Sequence, residues 1–364
     1  MKLETKAFGL EDVFCYSFIN EKGEVFSATN LGARIVSWKV LDKNQRLIET
    51  VLGMDSATEY LEKDPYIGAT IGRVAGRIAN GRYTYDNQTV QLTQNEQGNT
   101  LHGGPHSFEE AVWEAEATVE NGVGKLVFRL VSPAGENGFP GDLNVKVTYT
   151  ISEDMTWQID YEAKTNETTL FNPTNHVYFN LNGHYEQTID NHLLYVNADR
   201  YVPLLANNLP IGKKQSVVET AFDVRDEAGT RLEDVFSLTD EQVLAVGGYD
   251  HPFVLNQPSL ETPQASIKSL ETGLTLSVYT DAASIVIFTL NLGDKTITMR
   301  EQEVRHHSGI TFETQALPDA INQEDFGNIV LKPNDVFRST TIYRWHEKKA
   351  LCQIGLMSQN EVER

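Results

Sequence analysis

Cysteine is nearly absent: the chain has two, Cys15 and Cys352, at opposite ends. So distant a pair offers neither a disulfide framework nor zinc-ligand spacing, and it points to a reducing, cytoplasmic setting. Positive charge is also short, with 30 Lys and Arg against 51 Asp and Glu and a formal net charge of −21. A phosphate-backbone partner demands clustered cations, so nucleic acid is not an expected ligand. Long apolar runs are missing too. SIVIF at 284–288 is typical of the longest, far below the ~20 residues of a membrane helix. The amino terminus, MKLETKAFGLEDVFCYSF, lacks the basic region, apolar stretch and small-residue cleavage site of a secretory signal. A soluble protein with no membrane partner is expected.

Helical periodicity is scarce. The best stretch is DSATEYLEKD at 55–64, where Ser56 stands in a capping position and Glu59 three residues on. What the chain has in abundance is alternation. KLVFRLVS puts Leu126, Phe128 and Leu130 on one face, LNVKVTYTI does so with Val145, Val147, Tyr149 and Ile151, and TWQIDYEAKT with Trp157, Ile159, Tyr161 and Ala163. Turn residues separate these strands at ENGFPGD (136–142) and SEDM, and YDNQTV (85–90) reads as a short hairpin. No internal repeat and no Ser, Pro or Gly-rich linker divides the 364 residues. The expectation is one all-β domain over 1–346, a large antiparallel β-sandwich, followed by a weakly ordered tail at 347–364.

Four polar clusters interrupt the strands: IGRVAGRIANGRY at 71–83, NTLHGGPHSF at 99–108, NPTNHVYFNLNGHYEQTID at 172–190, and GGYDHPF at 247–253 with GITFETQALPDAIN at 309–322. The third sets His176 in an alternating run that reads as a strand with one dry and one wet face. Taken alone, such a histidine is more often a satisfied core residue than a catalyst. Glu313, between Phe312 and Thr314, must face outward or be paired, and in a partly apolar pocket its pKa rises into the range of a usable base. Arg73, Arg77 and Arg82 fit a solvated basic patch as well as a site, and His102 and the Asp250–His251 pair fit plain turns. GRVAGR lacks the Lys-Ser/Thr end of a phosphate loop. No metal spacing is present among His102, His176 and His251, no nucleophile elbow exists, and RHH at 305–307 reads as a surface turn.

Together, in order, GRVAGRIANGRY, NTLHGG, ENGFPGDL, NPTNHVYFNL, GYDHPF, ETQALPDAIN and LKPNDVFRSTTIYRW resemble the aldose 1-epimerase, or galactose mutarotase, family over roughly residues 8–346. The resemblance implies the mutarotase-like supersandwich with a sugar cleft, no cofactor and no metal. It also implies interconversion of the α and β anomers of a free hexose such as galactose or glucose. On it, His176 corresponds to the family's general acid and Glu313 to its general base, with Arg77, His102 and Asp250 gripping sugar hydroxyls. Near neutral pH the pair is expected as imidazolium and carboxylate. Two positions depart from relatives: Gly76, where many have Asn, and Val286, where some have a polar residue. A homodimer is compatible with the resemblance. Rival assignments are an epimerase of a disaccharide or hexose 6-phosphate, a carbohydrate-binding protein without catalysis, and a glycoside hydrolase using Asp250 and Glu313 as its carboxyl pair.

Overall fold

The computed structural model describes residues 1–346; the expected tail at 347–364 and Cys352 lie outside them. Strands dominate, and the alternation read from the sequence sets their faces. Along Trp157–Thr165 the side chains of Trp157, Ile159, Tyr161 and Ala163 are buried, and along Leu143–Ile151 so are Val145, Val147, Tyr149 and Ile151. The two strands pair antiparallel with Tyr149 opposite Ile159 and Val147 opposite Tyr161, so each apolar set faces the same side.

They sit inside a nine-stranded antiparallel sheet. Its order is Glu114–Glu120, Val123–Ser132, Leu143–Ile151, Trp157–Thr165, Phe337–Trp345, Thr275–Thr280, Ala265–Ser269, His192–Val196 and Thr230–Arg231. The first 49 residues form a five-stranded meander, Lys2–Ala7 through Leu47–Glu49. Phe26 and Trp38 project from this meander onto the large sheet: Trp38 meets Trp157 edge-on with ring centres 5.7 Å apart, and Phe26 lies 6.2 Å from Tyr149. Trp157 also stacks on Tyr343 at 5.0 Å. These rings lie within the main core cluster, and aromatic packing of this kind adds about 0.5–1.5 kcal/mol per pair beyond area burial.

A second five-stranded sheet runs Gln215–Ser216, Arg200–Tyr201, Asp250–Val254, Ser284–Phe288 and Glu313–Gln315. It carries Asp250 and Glu313, so Asp250 and His251 belong to a strand, not to the plain turn their Pro-flanked sequence allows. The 55–64 helix forms over Ala57–Lys63, with the Ser56 side chain accepting the Glu59 N–H at 3.3 Å. The hairpin at 85–90 is present as Arg82–Tyr85 against Gln88–Gln91, turning on Asp86 and Asn87 at φ 47° and 61°, the positive values a two-residue hairpin turn needs. Two further helices, Leu232–Phe236 and Glu241–Val246, are too short to leave a periodic trace.

Candidate active site

His176 does not lie on a long strand with a wet face. Thr174–Asn175 is a two-residue strand paired with Thr70–Ile71, and from Asn175 to Asn180 every residue is buried. The segment crosses the interior, and its asparagines satisfy backbone instead of meeting water. Asn175 Nδ2 donates to Gly68 O at 3.0 Å, and Asn180 Nδ2 donates to Gln187 O at 2.7 Å and Ser308 O at 2.9 Å. His176 itself is gripped on both sides: its N–H donates to Ala69 O, and its carbonyl accepts the Gly68 N–H, each at 2.9 Å. This fixes the direction of the ring.

Glu313 opens the strand Glu313–Gln315, opposite Val286. Its Oε1 lies 3.4 Å from His176 Nε2 and accepts the Thr311 hydroxyl at 3.1 Å. Both side chains are almost wholly buried, at 7% and 4% exposure for His176 and Glu313. Burial pushes the Glu313 carboxyl up to about 8, and it lowers the His176 imidazole from its usual value against the opposing field of Asp64. Desolvation disfavours either charge. Burial thus works against both charges of the imidazolium–carboxylate pair expected near neutral pH.

His102 and Gly76 hold each other. The His102 N–H donates to Gly76 O at 2.9 Å, and the Gly76 N–H donates to His102 Nδ1 at 3.2 Å, which leaves the proton on Nε2, the nitrogen away from the backbone. His102 sits at φ 53°, so the expected turn is real, and it aims a buried ring at the cleft, 5.3 Å from His176. Burial lowers its pKa well below the ordinary value. Arg77 pairs in register with Leu101 and reaches between Glu96, at 3.1 Å, and Asp250, at 4.0 Å. Asp250 is pushed up to about 6, first by burial, with Arg77 opposing.

The three arginines of the first cluster have different fates. Arg73 is 1% exposed, and its guanidinium donates to Ser132 Oγ and O, Pro133 O, Pro140 O, Gly141 O and Thr169 Oγ1 at 2.8–3.0 Å. It is a structural knot. Arg82 is exposed, and only Arg77 enters the cleft, so no basic patch exists.

All five candidates, Arg77, His102, His176, Asp250 and Glu313, line one cleft of about 250 Å³. That is just under the ~300–1,000 Å³ of pockets for drug-sized ligands, a scale suited to a small molecule. Asp64, Tyr66, Tyr178, Val286, Phe288 and Gln315 also line it. Asp64 ends the first helix as its C-cap, so in sequence it is indistinguishable from a helix terminus. Gln315 carries a signal, since alternation along FETQ puts it on the same face as Glu313. A larger groove of about 480 Å³ lies on the nine-stranded sheet, but its charges, such as Lys146 and Glu162 at 3.1 Å, pair with each other beside solvent. Among the described residues no cluster of three or more His, Cys, Asp or Glu side chains suits a metal, and no helix is long and apolar enough to cross a membrane.

The family model for aldose 1-epimerase matches residues 15–344. The chain belongs to the aldose 1-epimerase family. It is 37% identical to the galactose mutarotase of Rattus norvegicus over 317 residues, covering 86% of this chain and 89% of that one. To the aldose 1-epimerase of Escherichia coli it is 32% identical over 329 residues, covering 90% and 93%. Among solved structures, galactose 1-epimerase from Lactobacillus acidophilus superposes with a TM-score of 0.84 at 28% identity, covering 95% of this chain and 99% of that one. An aldose 1-epimerase is an isomerase of sugar anomers, and the supersandwich expected from the motifs is the fold observed.

Proposed function

We propose that this aldose 1-epimerase acts on free hexoses such as galactose and glucose, with Glu313 and His176 as the proton-transfer pair and Arg77, His102 and Asp250 holding the sugar hydroxyls. The observation that carries the assignment is the buried 3.4 Å contact between Glu313 Oε1 and His176 Nε2 within the cleft that the three polar grips share. Anomer exchange removes a proton from the anomeric hydroxyl and delivers one to the ring oxygen. The bond from the anomeric carbon to the ring oxygen breaks, and an aldehyde forms. After rotation about the adjoining carbon–carbon bond, the reverse steps close the ring on the other face.

One proton on the pair is what this chemistry requires. A neutral acid beside a neutral ring and a carboxylate beside an imidazolium carry the same single proton. A sugar whose anomeric hydroxyl donates to Glu313, and whose ring oxygen accepts from His176, draws that proton from the acid to the ring. General acid and base assistance of this kind contributes typically ~10²–10⁴-fold. Positioning by Arg77, His102 and Asp250 adds to it.

A phosphorylated hexose is disfavoured. Asp64, Asp250 and Glu313 face the cleft against the single guanidinium of Arg77, which already pairs with Glu96, whereas a phosphate site calls for convergent unpaired cations. The cleft residues run from Asp64 to Pro318, consistent with residues 1–346 acting as one domain. A cytoplasmic setting fits the scarcity of cysteine, two in 364 residues.

Polarimetry of freshly dissolved α-galactose and α-glucose tests the assignment. Wild-type protein should speed the approach to the ordinary equilibrium rotation, and His176→Ala should abolish most of that acceleration. Near wild-type turnover in His176→Ala would refute the pair; no acceleration by folded wild type on either sugar would refute the substrate class.

A further inference from the structure

Arg77 stands between two carboxylates and is bonded to only one. Its Nε and Nη2 meet Glu96 Oε2 and Oε1 at 3.1 and 3.2 Å, the two-point match of guanidinium and carboxylate. Its remaining nitrogen, Nη1, is 4.0 Å from Asp250 Oδ2, beyond hydrogen-bond range. Among the described residues no side chain donates to the Asp250 carboxylate; the backbone N–H of that residue donates to His251 Nδ1 at 3.2 Å. Glu96 stands behind Arg77, outside the cleft lining.

The carboxylate of Glu96 is presented from a braced turn. Glu96 and Asn99 exchange backbone hydrogen bonds at 3.2 and 2.7 Å across Gln97 and Gly98, at φ 48° and 81°. The neighbouring Asn95 side chain donates to Leu101 O at 3.0 Å and accepts the Leu101 N–H at 2.7 Å. Leu101 is the residue that pairs in register with Arg77. The Asn95 side chain therefore ties the turn that carries Glu96 to the strand pair that carries Arg77.

We propose that Glu96 is a positioning residue that holds Arg77 off Asp250, so that Arg77 Nη1 and the Asp250 carboxylate stay available as a donor and an acceptor for adjacent sugar hydroxyls. Without Glu96, the nearest strong partner of the guanidinium is Asp250, and a shift of about 1 Å closes a direct hydrogen bond within ordinary range. That ion pair consumes both grips, and a neutral sugar must break it to bind. The ligand class that fits an adjacent donor and acceptor is an uncharged polyol with neighbouring hydroxyls. The inference rests on the proposed sugar-binding roles of Arg77 and Asp250.

The test compares kcat and KM for anomer exchange in wild type, Glu96→Ala and Glu96→Gln, with thermal melting followed by circular dichroism. Glu96→Ala should raise KM about tenfold or more, as expected for losing a charge-assisted hydrogen bond, while kcat stays within about threefold. Glu96→Gln keeps one acceptor oxygen and should fall between the two. Unchanged KM in both variants, a loss confined to kcat, or a Gln variant as impaired as the Ala variant would overturn the clamp. If Glu96→Ala does not fold, Glu96→Gln decides alone, an elevated KM supporting the clamp and a wild-type KM refuting it. An inactive wild type, or an active His176→Ala, would instead overturn the proposed catalytic assignment.

Discussion

Glu313→Gln should make the empty protein less sensitive to alkaline pH while removing its activity. The Glu313 carboxyl titrates at 4.5 when exposed and is pushed up to about 8 by burial in the fold. Between those values the unfolded chain binds fewer protons than the folded one, so stability falls as pH rises. The contribution is complete below 4.5, declines by up to ~1.4 kcal/mol per pH unit, and levels off above about 8. From pH 6 to pH 8 this group alone removes about 2 kcal/mol. The lowered His176 works in the opposite sense, its contribution being present above 6.5 and lost as pH falls. It is retained in the variant and largely cancels from the comparison. Glutamine preserves the volume and an oxygen to accept the Thr311 hydroxyl, and it has no charge to desolvate. Urea unfolding at several pH values from 6 to 8 gives the assay, with the slope against denaturant checked for constancy. The wild-type curve should drop relative to the variant by about 2 kcal/mol over that range. Curves parallel to within about 0.5 kcal/mol would mean that burial does not oppose the Glu313 charge, and the account of the proton on the pair would fail.

Activity should follow a bell in pH. The value of kcat/KM, which reports the free enzyme, should fall above about 8 as burial-raised Glu313 gives up the last proton on the pair, and fall again on the acid side below the ordinary histidine value, where lowered His176 takes a second; a flat profile would remove the pair from the mechanism. Arg77→Ala and Asp250→Ala should each raise KM by more than they lower kcat, and the reverse split would move those residues into the chemical step. Arg73→Met should destabilise by about 3–5 kcal/mol, because it strands several buried acceptors at once, and a midpoint unchanged in urea unfolding would refute the knot. Gly103→Ala should lose activity together with stability, since a Cβ there meets the Gly72 carbonyl oxygen at 2.1 Å at a φ of 89°; wild-type melting and activity would show that the turn behind His102 yields freely.

The long strands were legible because their chemistry is local. In Leu143–Ile151, and in Trp157–Thr165 up to Ala163, every second residue is apolar and buried, and two-residue periodicity is visible without knowledge of any partner. The His176 segment misled for the same reason. His176 and Asn180 read as part of a wet face because polar and aromatic side chains alternate, whereas the segment is buried and its asparagines, Asn175 and Asn180, are spent on backbone groups supplied by residues 68, 187 and 308. Two of those partners, Gly68 and Ser308, are more than 100 residues away, so the pattern alone cannot distinguish a solvated face from a satisfied interior one. Arg73 and Arg77 show the same limit, being four residues apart in one cluster with one knotted in the core and one in the cleft. The five residues named from the motifs all line the cleft, but no spacing reveals Glu96, whose relation to Arg77 depends on a turn folding back beside a short strand pair.

The Arg73 knot also bears on how the molecule is made. Its guanidinium joins groups 59 to 96 residues away along the chain, while the cleft is closed by strand pairs of two or three residues, such as Thr174–Asn175 on Thr70–Ile71. Such short pairings cannot hold until the distant segments have met, and long loop closures slow folding. During refolding, the sheet signal in circular dichroism should therefore recover before anomer exchange does. Because Phe337–Trp345 lies between Trp157–Thr165 and Thr275–Thr280 in the large sheet, that sheet is complete only when nearly all of the described chain is available.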